Sequence, residues 1–206
     1  MRKTLVRLLA CLPLFLADIW AQGLDVMFVL ETFPGTEQQI GLIRPRDLKE
    51  NDRAGVIGFT RSVQLLQPLT YDRQDLAKAL QRAGTRISIG VHFQATPGGS
   101  VDISGALRQA IGEFGDRSPE GRKRLIVALV ASRDPGLAGN LESLKALLAA
   151  SEVRLFAVAI TLVSGRAYSS PGITAEFLNQ LAKSSGGRVF RGGWDLKSIL
   201  AMARKP

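Results

Sequence analysis

Cysteine is almost missing from this 206-residue chain, and the single one, Cys11, lies in the first apolar stretch. One thiol can form no intramolecular disulfide and no cysteine-built metal centre. Histidine is equally scarce: the lone His92 falls in an irregular stretch, Gly84 to Ser100, and no Gly-x-Ser-x-Gly elbow occurs. Nucleophile-and-base catalysis therefore has no visible pair of residues, and His92 reads as structural or surface-borne. Aromatic residues make up 6% of the chain, too few for a base-stacking platform, so no nucleic-acid partner is expected. No apolar run reaches the roughly 20 residues that cross a bilayer as a helix, so no transmembrane segment is expected in the mature chain.

What is present begins with a leader. Arg2, Lys3 and Arg7 precede an apolar run from Leu8 to Leu16, and small or neutral residues close it near Ala21. This is the make-up of a secretory signal peptide spanning residues 1–21, and it places the mature chain in the periplasm or outside the cell. Ile19 is bulkier than cleavage usually favours, and Cys11 follows Leu8-Leu9-Ala10 in the manner of a lipidation box. An uncleaved anchor and a lipid at Cys11 both stay open. Without Arg2, Lys3, Arg7 and Asp18 the formal net charge falls from +9 to +7. The basic residues are scattered, and their local concentration at Arg117, Arg122, Lys123 and Arg124 reads as a solvated face.

From about Gly23 the chain alternates between two kinds of segment. Leu24–Leu30 is almost wholly apolar, as befits a buried strand, and Thr36 opens a helix that Pro45 cuts short. Ala54–Thr60 and Ser62–Leu69 are adjoining strand-like runs, which predicts a tight hairpin and one antiparallel edge. Asp72 is placed to cap a helix whose Leu76, Ala79, Leu80 and Ala83 share a face. Helical spacing returns at Ile103, Ala106, Leu107, Ala110, Ile111 and Phe114. Thereafter strand and helix trade places: Arg124–Ala131, the helix from Asn140, Val153–Ile160, the helix from Ile173, a short strand at Arg188, and a last helix after Trp194. Such alternation predicts an α/β fold, a doubly wound, mostly parallel sheet with helices on both faces, in one domain over residues 23–204.

In such a sheet ligands sit at the carboxyl ends of the strands, which here gathers the loops Glu31–Thr36, Gly98–Asp102 and Ala131–Asp134. The runs LDVMFVLETFPGT, GGSVDISGAL, RLIVALVASRD and VRLFAVAI, in this order, resemble von Willebrand factor type A domains. The resemblance covers nearly the whole of Gly23–Ala203. It implies the same fold, a role in docking other proteins, and a divalent-cation site built from a strand-end aspartate, two serines, a threonine and a second aspartate. In this chain the first aspartate position holds Glu31, the serine positions Phe33 and Gly35, and the second aspartate position Ala131. The threonine position falls on Ser100 or on Val101, depending on one residue of loop length.

A hard cation needs several oxygen ligands, and Glu31 is nearly alone in offering one. The expectation is a degenerate ion site with no cofactor, on a face that docks a protein partner through Glu31, Phe33, Pro34, Gly35, Ser100, Val101, Asp102, Ala131 and Asp134. Phe33-Pro34 either plugs the vacated ion cavity or stands exposed as an anchor. A rearranged shell of Glu31, Ser100, Asp102 and Asp134 holding Mg or Mn is the metal-dependent alternative. Asp102 reads more simply as a helix N-cap, and Asp134 as a turn residue before Pro135-Gly136. A periplasmic hydrolase or nucleotide-binding enzyme is the remaining class. Gly98-Gly99-Ser100 is its only support, lacking the lysine of a phosphate loop. Ser164, Ser169, Ser170, Ser184 and Ser185 read as turn or helix-end residues bonded to local backbone.

Overall fold

A computed structural model of the chain describes residues 23–32, 35–85, 101–115, 121–164, 167–169 and 172–205. The leader, Phe33, Pro34, His92, Ser100, Arg117 and Ser170 lie outside the described residues. Among the described residues, eight strands and six α-helices follow in order: β1 (Leu24–Glu31), α1 (Glu37–Ile40), β2 (Arg53–Phe59), β3 (Val63–Thr70), α2 (Arg73–Thr85), α3 (Ile103–Glu113), β4 (Lys123–Val130), α4 (Leu137–Ala150), β5 (Val153–Ala159), β6 (Leu162–Ser164), β7 (Ala167–Ser169), α5 (Ile173–Ser184), β8 (Arg188–Arg191) and α6 (Leu196–Arg204).

Six of the strands form one sheet in the order β3-β2-β1-β4-β5-β8, and β3 alone runs antiparallel to its neighbour. The expected fold class is thus the observed one. β1 is buried along its whole length because helices cover both faces. Leu24, Val26, Phe28 and Leu30 pack on the side carrying α1, α2 and α6, while Met27 and Val29 pack on the side carrying α3, α4 and α5. Alternation along the strand divides the core in two. Each fully buried Phe or Leu contributes about 1.5–3 kcal/mol. The predicted α2 stripe of Leu76, Ala79, Leu80 and Ala83 is buried, and Asp72 Oδ1 accepts hydrogen bonds from the amides of Gln74 and Asp75.

Thr36 is the N-cap residue of α1, as expected, but its hydroxyl makes no cap bond and donates instead to the carbonyl of Glu31 at 2.9 Å, closing the loop after β1 on itself. Two local expectations give way. α4 starts at Leu137 rather than Asn140, since Leu137 is buried and the turn at Pro135-Gly136 leads straight into it. A separate hairpin, β6 with β7, interrupts the link from β5 to α5, so Ser164 and Ser169 are strand residues rather than turn residues.

The described part of the basic cluster, Arg122, Lys123 and Arg124, is also not a solvated face. Arg122 Nε and the Arg53 guanidinium both donate to the buried carboxylate of Asp25, and the Arg124 side chain is buried with Nη1 on the Ser151 carbonyl. Lys123 Nζ donates to the carbonyls of Arg204 and Lys205 at the end of α6. Nearby, Asp52 accepts from the Leu24 amide, the Lys49 amide and Arg204, so the start of β1 and the end of α6 are fastened together.

Candidate functional site

The sheet order reverses between β1 and β4: the chain leaves β1 toward one face and β4 toward the other. Register sets Leu30 opposite Leu129, so Glu31 arrives level with the end of β4. Its side chain is 0% exposed. Oε2 accepts from the amides of Ala131 at 2.7 Å and Ser132 at 3.0 Å, spanning 100 residues of sequence in one contact. Oε1 is buried with no hydrogen-bond partner among the described residues. Burial pushes the Glu31 carboxyl above its ordinary value of 4.5, and hydrogen bonds from Ser132 and Ala131 only partly counter it.

Asp134 completes the second loop. Its Oδ2 accepts from the Ile103 amide at 3.0 Å and Oδ1 from the Gly136 amide at 2.8 Å, so one buried carboxylate joins the start of α3 to the turn before α4. The amide of Asp134 in turn donates to Thr174 Oγ1 at 2.8 Å, which pins the loop to the start of α5. Asp102 caps α3 through the Gly105 amide at 2.7 Å, and its own amide donates to the carbonyl of Thr60. The simpler roles of Asp102 and Asp134 are therefore both present. Ser184 and Ser185 likewise bond to the Leu181 and Ala182 carbonyls.

The structure brings Glu31, Ala131, Asp134 and the start of α3 together, as the loop argument expects. It buries most of them. Val101 is 9% exposed and belongs to the core beneath α3, while Glu31, Ala131 and Asp134 are turned inward. Only Gly35 and Asp102 of the described candidates face solvent. Gly35 has φ 97°, a left-handed conformation in which a serine would be strained. Phe33, Pro34 and Ser100 lie outside the described residues.

As ligands for a hard divalent ion, the described residues do not fit. Glu31 Oε2, both oxygens of Asp134 and Oδ1 of Asp102 are already engaged by main-chain amides, and Ala131 and Gly35 bring no side-chain oxygen. Among the described residues no group of three or more His, Cys, Asp or Glu is placed to hold a metal. The extra methylene of Glu31 matters here: it carries the carboxylate across to β4 and seats it against the Ala131 and Ser132 amides.

Sequence reasoning missed Ser132, Thr174 and Trp194. Ser132 and Thr174 carry no composition signal, because their roles depend on loops distant in sequence. Trp194 was readable as a bulky residue after Gly192-Gly193. Its Nε1 donates to Gln39 Oε1 at 2.8 Å and ties the approach to α6 to α1. No helix among the described residues is long and apolar enough to cross a membrane.

Comparison with known proteins agrees with this fold. A family model of the von Willebrand factor type A domain matches residues 29–132. Among solved structures, BatB from Bacteroides thetaiotaomicron superposes with a TM-score of 0.61 at 18% identity, covering 88% of this chain and 96% of that one. An aerotolerance-related membrane protein from Bacteroides fragilis NCTC 9343 gives 0.58 at 16% identity, covering 87% and 96%. The SpRpn10 VWA domain gives 0.57 at 12% identity, covering 86% and 93%. At these identities the likeness establishes the fold. A search of curated proteins finds no match.

Proposed function

The chain belongs to the von Willebrand factor type A domain family, and on that footing we propose that it is an exported protein-interaction module that docks a partner through its strand-top loops without a divalent ion. Domains of this family act as interaction modules, and the rim here keeps the loop architecture while lacking the ligand set. The observation that carries the metal-free reading is the Glu31 carboxylate, bonded to the Ala131 and Ser132 amides at the point where β1 and β4 part. With Glu31 inside, the rim is held by protein contacts alone, and partner recognition rests on shape and on the groups at the loop surface. Export is supported by the basic and apolar make-up of residues 1–21. Binding rather than catalysis is supported by the absence of a nucleophile with a neighbouring base in the sequence.

One observation favours the metal-dependent alternative: Glu31 Oε1 is buried and unpartnered among the described residues. A ligand that binds only the folded state must stabilise it, by about 2.7 kcal/mol when present at a hundredfold excess over its dissociation constant. Thermal unfolding with and without millimolar Mg²⁺ or Mn²⁺ separates the two readings. An unchanged midpoint, together with partner capture from the exported fraction that survives a chelator, is the expected result. A rise in midpoint with either ion, or capture lost to the chelator, would reject it.

A further inference from the structure

β5 and β8 pair only as far as Ala159 and Arg191. Beyond that point the Ile160 amide stays bonded to the Val130 carbonyl of β4, while β8 runs into Gly192 and Gly193. The gap between β5 and β8, closed on one side by α1, is an open groove of about 750 Å³ on the same strand-top rim as Glu31. Gly192 and Gly193 both line it, and a Cβ at either would meet no atom within 4 Å, so both face open space.

Two chemistries meet in this groove. Its apolar part is the Trp194 indole, fixed at its nitrogen by Gln39, beside Leu42, which is 39% exposed. Ile173, 65% exposed, stands next to the lining residue Gly172. Its polar part is cationic. Arg191 lines the groove and is exposed, and the exposed Arg133 lays its guanidinium along Gly172, where a Cβ would come within 3.1 Å of Nε. Glu176 approaches Arg191 at 3.8 Å with both side chains largely in water, which screens the contact and leaves the guanidinium available to another carboxylate.

We infer that this groove binds an acidic linear segment of the protein partner, with an aliphatic side chain against Trp194 and Leu42 and an adjacent aspartate or glutamate carboxylate on Arg191 or Arg133. A rigid aromatic anchor flanked by arginines is the composition that concentrates binding energy at interfaces, and guanidinium groups match carboxylates through paired hydrogen bonds. The charge of the mouth disfavours a basic segment. The inference rests on the docking role proposed above and adds the place and chemistry of the contact.

Trp194 reports on occupancy directly. In the chain carrying Trp20→Phe it is the single tryptophan, and its emission can be titrated with a blocked peptide alternating aspartate and leucine, with its lysine-leucine counterpart, and with free glutamate. The aspartate peptide is expected to give a saturable change and to bind at least about tenfold tighter than the lysine peptide. Gly193→Leu, which places a side chain in open space, abolishes the response, and Arg191→Gln on the exposed rim weakens it about fivefold, both with unchanged circular dichroism and melting midpoint. Equal binding of the two peptides, no response to either, full binding by Gly193→Leu, or saturation by free glutamate alone would each overturn the inference. Partner capture that persists in Gly193→Leu sinks the groove and leaves the docking role standing. Acidic-peptide binding combined with chelator-sensitive capture does the reverse.

Discussion

The two ends of the central sheet bury carboxylates by opposite means. At the amino ends of the strands, Asp25 and Asp52 are met by guanidinium groups from Arg53, Arg122 and Arg204. At the carboxyl ends, Glu31 and Asp134 are met by main-chain amides. Burial raises the pKa of Asp25, but the hydrogen bonds and charges of Arg53 and Arg122 outweigh it and hold the carboxyl below 3.8. Burial raises Glu31 too, and there the amides do not outweigh it. Full countercharge makes one end a clamp; its lack makes the other end sensitive to protons and to side-chain reach.

Removing the countercharged carboxylate is the severest way to break this contrast. Asp25→Ala leaves two largely buried guanidinium groups facing each other and is expected to lower stability by about 3–5 kcal/mol in chemical denaturation. Glu31→Asp is next: the shorter side chain no longer reaches the Ala131 and Ser132 amides, and a loss of about 2 kcal/mol should appear in the same measurement. Gly35→Ser puts a branched Cα at φ 97° and is expected to cost about 1 kcal/mol, read as a lowered melting midpoint.

A pH series sharpens the comparison further. The folded state raises the pKa of Glu31, so its contribution is full below 4.5 and is lost as pH rises from there through the folded value. Asp25 has the opposite sign, its contribution being full above 3.8 and lost as pH falls through its depressed folded value. Glu31→Gln carries no titrating proton, so the variant should gain on the wild type as pH climbs from 4 toward neutrality, read as a rising difference between their melting midpoints. Melting midpoints that run parallel in the two proteins would show that Glu31 titrates normally.

The sheet was legible because burial on both faces writes itself into β1, β4 and β5 as almost wholly apolar runs, and the hairpin of β2 with β3 shows in their near-contiguity. The family likeness followed from the same runs. The fate of Glu31 was not legible: a carboxylate at a strand end looks like an ion ligand until the register of β1 against β4 shows amides within its reach. Arg122 misled for a similar reason. Its partner Asp25 is 97 residues away, so along the chain it resembles one more surface cation. The β6–β7 hairpin is three residues per strand, too short for any period to register.

The Asp52 carboxylate grips the Leu24 amide with one oxygen and the Arg204 guanidinium with the other. The first strand and the last helix thus meet at a common pole, opposite the loops. A mechanical load drawn between Gly23 and Lys205 would run along that short ionic strut and leave the loops slack, so tethering the molecule by either terminus presents its rim outward in an undeformed state.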